Sequence, residues 1–273
     1  TTIVATSIMQ LGAYETFLLA VVVAGVLQLI LGIIKAGMIG NYFPSSVILG
    51  MLAAIGITII LKQIPIAFGM IEAHAFELEG GGISVFTDTV LNTVNWGATI
   101  ICLLSLAILI FWPKIKGLNK LPAPLVVVLL GVGLSIAFQG TAWSLSGNGH
   151  FVSIPVVSSF NEFLGLFIFP NFAEIGNKDV WTVAITIAIV ASLETLLSIE
   201  AVDKIDPFKR NSPTNKELLA QGIGNISSGM LGGLPLTSVI VRSSANASAG
   251  GRTRQSAILH GIWLLLALIA IPS

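Results

Sequence analysis

Long apolar runs separated by short polar stretches dominate this chain, and many of the runs approach the length needed to cross a bilayer. They predict helical spans over 15–34, 47–61, 97–111, 124–138, 180–199, 218–231 and 256–271. Some are shorter than the ~20 residues of a perpendicular crossing, so tilt or burial among other helices is required. A further segment, 237–249 (TSVIVRSSANASA), is too brief and too rich in small residues to cross alone. Two charges interrupt the apolar pattern at depth: Glu194 near the middle of 180–199, and Arg242 in the short segment. An acid and a base inside a membrane are costly unless they face each other, water or a ligand, and such groups mark substrate or proton paths.

Between Leu231 and Thr237 the chain reads Gly232-Gly233-Leu234-Pro235-Leu236. Two glycines and a proline break a helix, and within lipid a break survives only where protein or water satisfies the freed backbone groups. A half-helix starting at Thr237 would present the N–H groups of Thr237, Ser238 and Val239 toward the membrane centre. Such a terminus binds anions through those donors and the helix dipole, and interrupted helices of this polarity form substrate sites in secondary transporters. Arg242 adds a permanent positive charge close by. The expected ligand is therefore a small anion. Burial raises the pKa of a carboxyl such as Glu194 while a neighbouring Arg lowers it, which suits either a proton carrier or an ionised cation ligand. Ser198, at i+4 on the same face, could supply a second oxygen to a coupling Na+; H+ is the other candidate. The plainer alternatives are a structural ion pair and an ordinary interhelical turn followed by an unusually polar full helix.

Composition agrees: 55% of residues are apolar and 10% charged, with mean hydropathy +0.95, which excludes an ordinary soluble domain. The loop charges give an independent orientation. With 15–34 running inward, ten of the thirteen basic residues fall on one side: Lys35; Lys114, Lys116 and Lys120; Lys204, Lys209, Arg210 and Lys216; Arg252 and Arg254. That is the cytoplasmic side by the positive-inside rule. The register closes only if 218–231 runs outward and 237–249 returns part-way, so the charge count itself implies a half-helix. The stretch from Lys204 to Lys216 is expected as a solvated cytoplasmic loop, and the outer segments (63–96 and 139–179) as loops with a candidate interfacial helix over 160–169. Cys102 is the single cysteine, so no intrachain disulfide can form. The three histidines have no metal spacing, no cofactor motif is present, and no nucleic-acid partner is expected. With neither a nucleophile–base pair nor an HExxH helix, an enzyme is not expected.

The strings from Leu193 to Lys204 (LETLLSIEAVDK), 215–222 (NKELLAQG), 232–235 (GGLP), 250–253 (GGRT) and 42–51 (YFPSSVILGM) resemble, in this order, the SulP (sulfate permease) family of inorganic anion transporters. The resemblance covers essentially the whole chain. It implies an all-α membrane fold of fourteen segments in two inverted repeats of seven, divided into core and gate domains, with the anion between the half-helices of segments three and ten. Residues 1–273 would then run from the end of segment three to segment eleven, without the first and last segments or the cytoplasmic STAS domain. By motif, Glu194 matches the family's acidic position, Ser198 a site-lining Thr, Ser238 and Val239 the turn meeting ion and substrate, and Arg242 a common basic residue. The implied function is secondary active transport of sulfate, bicarbonate or a dicarboxylate, by proton- or sodium-coupled symport in a multi-pass bacterial inner or plasma membrane, as a homodimer. An uncoupled anion channel or exchanger, a voltage-responsive motor and a nucleobase transporter of the same architecture are the alternatives.

Overall fold

The computed structural model describes residues 2–42, 44–69, 94–115, 121–141, 143–145 and 165–270. Among them the secondary structure is entirely helical. The α-helices are α1 (Thr2–Leu11), α2 (Tyr14–Ile33), α3 (Ser45–Ala67), α4 (Trp96–Phe111), α5 (Ala123–Ala137), α6 (Lys178–Ile205), α7 (Thr214–Met230), α8 (Ile240–Ser248) and α9 (Arg254–Ala270). Short 3-10 turns lie at Ala36–Tyr42, Trp112–Lys114 and Phe172–Gly176. Helices α2 and α6 are long and apolar enough to cross a membrane, while α4 and α5 are apolar but shorter. Positions 80–82, 155 and 160–164 lie outside the described residues, so the expected interfacial helix over 160–169 is described only from Gly165 onward.

The chain divides into two compact units, one of residues 1–49 and 154–273 and the other of residues 50–153. In the smaller unit, α4 packs on α5. Asn95 caps α4 by accepting from the N–H groups of Gly97 (2.9 Å) and Ala98 (3.2 Å), satisfying donors that the first turn leaves open. Leu103, Val128 and Leu129 point outward with more than half of their surface exposed, an apolar exterior suited to lipid or further helices.

In the larger unit α2 is the central element. Phe17, Leu18, Leu19, Ala20, Val21 and Ala24 have no exposed surface. Of these, Phe17, Leu19, Ala20, Val21 and Ala24 cluster with Val180, Val183, Ala184, Ile187 and Ala188 of α6, with Val4, Ile8 and Leu11 of α1 packed against the cluster. On its other side α2 runs antiparallel to α7 at backbone contact. A Cβ on Gly25 would stand 2.8 Å from the Gly222 carbonyl oxygen, and one on Gly222 would stand 2.8 Å from that of Gly25. Seven residues along each helix the pattern recurs, with Gly32 against Leu219 and Gly229 against Leu18 and Val22. Small residues at this spacing let two apolar helices approach where no hydrophobic force distinguishes protein from lipid.

Two features extend beyond the sequence-based expectation. Helix α6 continues to Ile205 and α7 begins at Thr214, so Lys204 and Lys216 are helical and the connecting loop is only 206–213. The Lys204–Glu200 pair (3.1 Å) one turn apart supports that extra length.

Gly222→Leu should drive α2 and α7 apart at a point with no room to relax, costing roughly 1–3 kcal/mol or more. The expected readout is a lower thermal midpoint in detergent and loss of a monodisperse peak.

Candidate functional site

The broken span is present. Helix α7 ends at Met230, and Gly232 takes a left-handed backbone (φ +85°) against the Ile168 backbone, where any side chain would collide. The Gly233 N–H returns to the Ser228 carbonyl (2.7 Å), the 6→1 bond of a glycine-terminated helix. Residues 233–239 are then non-helical up to Ile240. Nine residues later α8 is closed in the same way, by Gly250 (φ +92°) and the bond from Gly251 N–H to the Asn246 carbonyl (2.8 Å).

One face of α7 holds the unwound segment. Glu217, Gln221, Asn225 and Ser228 recur at three- and four-residue intervals and so form a stripe. Ser228 Oγ donates to the Leu234 carbonyl (2.7 Å). Asn225 brackets Leu236, accepting its N–H and donating to its carbonyl (3.3 Å). Gln221 donates to the same carbonyl (2.9 Å) and to that of Ala191 (3.2 Å). Glu217 Oε1 accepts from the Ser238 hydroxyl (3.0 Å), while the Ser238 N–H goes to Thr195 Oγ1 on α6 (3.2 Å). Behind this stripe Asn225 also donates to Gln28 Oε1 (2.7 Å), and Gln28 Nε2 donates to Ser192 Oγ (3.3 Å). Gln28, Asn225 and Thr195 have no exposed surface, so α2, α6, α7 and the break share one buried polar network. Among the described residues, Gln221 Oε1 is the buried side-chain atom without a partner.

These bonds move the start of the half-helix. The sequence predicts it at Thr237, but α8 starts at Ile240, after an extended Val239, because Leu236 and Ser238 are held out of the helix by side chains from α6 and α7. The first bond closing the helix is Ser243 N–H to the Val239 carbonyl (3.3 Å). The N–H groups of Ile240, Val241 and Arg242 therefore have no partner within the helix, and these replace Thr237, Ser238 and Val239 as the donors of its positive end.

The other predicted residues separate into two groups. Glu194 is half-buried and Ser198 buried on α6, flanking the Thr195 that holds Ser238, and α8 packs on α6. Arg242 is exposed and lines a groove of about 680 Å³ between α8 and α9, with Asn246, Ser256 and His260. Among the described residues Glu194 and Arg242 form no ion pair, so the structural-pair alternative has no support. No group of acidic, His and Cys side chains among the described residues could hold a metal. Glu217, Gln221, Asn225, Gln28 and Thr195 are additions from the structure. The signal available for the α7 residues was their spacing.

At the far end of α8, Asp206 and Arg210 form a two-pronged pair (Nε–Oδ2 and Nη2–Oδ1, both 2.8 Å). Arg210 also donates to the Arg252 carbonyl (3.2 Å), and the Arg210 and Arg252 guanidinium carbons lie 5.0 and 5.5 Å from the Phe208 ring centre. The loop 206–213 is thereby tied to the segment leaving α8. The side-chain and backbone hydrogen bonds from Arg210 hold the Asp206 carboxyl well below the usual carboxylate range.

Interrupted helices of this polarity occur at the substrate sites of many membrane transporters, and similarity to known proteins gives the class. The model of the "Sulfate permease family" matches residues 1–273, and the chain belongs to that family, whose members here are multi-pass membrane proteins. It is similar to YvdB of Bacillus subtilis (strain 168), a protein named for sulfate transport, at 29% identity over 96% of this chain and 47% of that one. The bicarbonate transporter BicA of Picosynechococcus sp. (strain PCC 7002) is 28% identical over 93% of this chain and 42% of its own length. The fold is that of the transmembrane domain of a cyanobacterium bicarbonate transporter BicA, with TM-score 0.64 and 24% identity over 98% of this chain and 64% of that domain. The chain thus spans about half the length of these curated relatives.

Replacing Asn225 with Leu leaves the Leu236 N–H and Gln28 Oε1 unpaired, each costing about 1–3 kcal/mol. Amide exchange over 232–239 should then accelerate while the α2–α6 core stays protected. For Asp206, a depressed folded-state pKa means its contribution is complete above the ordinary Asp range and is lost as pH falls through the lower, folded-state titration. Pepsin cleavage in 206–213 should therefore rise on acidification toward the level of Asp206→Asn, whose loop is open throughout.

Proposed function

We propose that this chain is the greater part of the membrane domain, from the end of segment three to segment eleven, of a secondary transporter for a small inorganic or carboxylate anion. The observation that carries this reading is the nine-residue half-helix α8, whose free N–H groups open beside the Glu194–Thr195–Ser198 face of α6. Its dipole and the Arg242 guanidinium favour a negative ligand. Sulfate, bicarbonate and dicarboxylates all fit that description, and the relatives named for sulfate and bicarbonate transport support it. Glu194, half-buried and unpaired among the described residues, is the proton or sodium carrier, with Ser198 contributing an oxygen in the sodium case. The mode of transport proposed is alternating access by movement of a core domain against a gate domain, in a membrane homodimer.

A second reading, obligatory exchange of one anion for another without a coupling cation, is favoured by one relative: the chloride anion exchanger of Mus musculus, 24% identical over 92% of this chain and 32% of that protein. Uptake by the full-length protein in liposomes separates the two. Under coupled symport, an imposed proton or sodium gradient drives anion accumulation, and Glu194→Gln abolishes the gradient dependence while anion binding persists. Accumulation that ignores both gradients but needs a counter-anion inside favours exchange. Arg242→Ala should weaken anion binding about tenfold or more, the value of one charge-assisted hydrogen bond, with gradient coupling retained.

A further inference from the structure

A cavity of about 970 Å³ lies at the polar end of α6, and none of its lining residues belongs to the broken segment or to α8. Its size is at the upper end of the about 300–1,000 Å³ typical of ligand pockets. Leu196 and Ile199 of α6 give it an apolar side, the 3-10 turn contributes Gly40, and the loop before α7 closes the rest. The walls are fastened to one another. Asp203 on α6 accepts from the N–H and the hydroxyl of Ser212 (2.7 Å each), and Asn215 Oδ1 accepts from the Gly37 N–H of the 3-10 turn (2.9 Å).

Three lysines and two carboxylates line this cavity. Both carboxylates are already engaged: Glu200 pairs with Lys204 (3.1 Å), and Asp203 holds Ser212. Lys209 and Lys216 form no ion pair among the described residues. The neighbouring Arg210 is committed to Asp206 and does not line the cavity. More donors come from α7, whose N-cap is Pro213, a residue with no side-chain acceptor. Its first closing bond runs from the Glu217 N–H to the Pro213 carbonyl (3.1 Å), so the N–H groups of Thr214, Asn215 and Lys216 have no partner within the helix. Three lysines against two carboxylates leave one positive charge, which suits a monoanion.

Depth decides what carries that anion. The apolar run 180–199 ends at Ile199, and the next residues of α6 are polar. From Leu196 to Lys204 the helix rises about 12 Å, so the cavity starts among apolar side chains and ends among ammonium groups. A membrane protein places that transition between hydrocarbon and water, the level of the phospholipid phosphates. The loop charges put it on the cytoplasmic side, whose leaflet carries anionic lipids. Basic pockets between spans on that side bind lipid headgroups.

We propose that this cavity binds the headgroup of an anionic phospholipid, its phosphate held by Lys209, Lys216 and the first-turn N–H groups of α7, with the lipid's glycerol end toward Leu196 and Ile199. The bound lipid ties α6 to α7 across the loop 206–213. This site is separate from the anion site proposed above and does not depend on what the protein transports.

The test uses the full-length protein in nanodiscs of phosphatidylcholine containing a small fraction of phosphatidylglycerol. Bound lipid is counted by native mass spectrometry, and amide exchange over 206–216 is followed in parallel. Phosphatidylglycerol should be retained in preference to phosphatidylcholine and should slow that exchange. Lys209→Gln and Lys216→Gln together weaken its retention more than tenfold, as expected for two charged hydrogen bonds. Thr214→Trp fills the cavity without changing charge and removes both retention and protection. Arg254→Gln, a basic residue on the same side but outside the cavity, changes retention by no more than the about fivefold of general surface attraction. Retention by Thr214→Trp equal to that of the wild type overturns the inference, because the attraction is then diffuse. So does a loss in Arg254→Gln as large as that in the lysine variants. Displacement of phosphatidylglycerol by millimolar inorganic phosphate or glycerol 3-phosphate assigns the cavity to a soluble phosphate and overturns the lipid assignment. Should Thr214→Trp fail to fold, the contrast between the lysine variants and Arg254→Gln decides.

Discussion

Unwound backbone inside an apolar slab has to find hydrogen-bond partners, and here α7 supplies them. Each unpaired peptide group in hydrocarbon costs several kcal/mol, so the stretch after Gly232 can leave the helix only where partners wait. Alternate residues of an extended chain repeat about every 6.8 Å, and three to four residues of a helix rise about 5–6 Å. The Ser228, Asn225, Gln221 and Glu217 side chains therefore keep step with Leu234, Leu236 and Ser238, acting as a neighbouring strand would. Without that stripe the segment would be driven back into helix, and α8 would have no free end within the fold.

The stripe depends in turn on packing. Asn225 reaches Gln28 at 2.7 Å only because Gly25 and Gly222 let the α2 and α7 backbones touch. Gln28 then carries the connection to Ser192 on α6. The apolar cluster of α2 with α6 and the glycine seam of α2 with α7 thus position polar groups that neither contact contains. Burying so many amides in one place is tolerable because nearly all of them are paired; Gln221 Oε1 is the exception.

Local signals carried much of this fold. The apolar runs at 15–34, 97–111 and 124–138 fall within a residue of α2, α4 and α5, because composition alone decides such spans. Gly232 and Gly233 marked the break, since left-handed backbone and helix termination are written in a few adjacent residues. The start of α8 was displaced by three residues for the opposite reason. Thr237 and Ser238 have good capping chemistry, but Leu236 is committed to Asn225 and Ser238 itself to Thr195 and Glu217, which lie 11 to 43 residues away in sequence. Gln221 and Asn225 sat in plain view at helical spacing inside a run read as a span, with Glu217 one residue before it. What they bind is a segment beyond the helix, and no window on the sequence joins the two. Arg242, expected close to the positive end of the half-helix, also lines the groove between α8 and α9 and makes no ion pair with Glu194. Helical phase, set by where α8 begins, determines that direction.

The contact of the Phe208 ring with both the Arg210 and Arg252 guanidinium groups has a mechanical consequence. It tethers the trailing end of α8, while Thr195 and Glu217 clamp Ser238, two residues ahead of its leading end. A rod fastened at both tips has no hinge of its own: it is cargo on a carriage, and any travel of its binding end has to be travel of the whole frame.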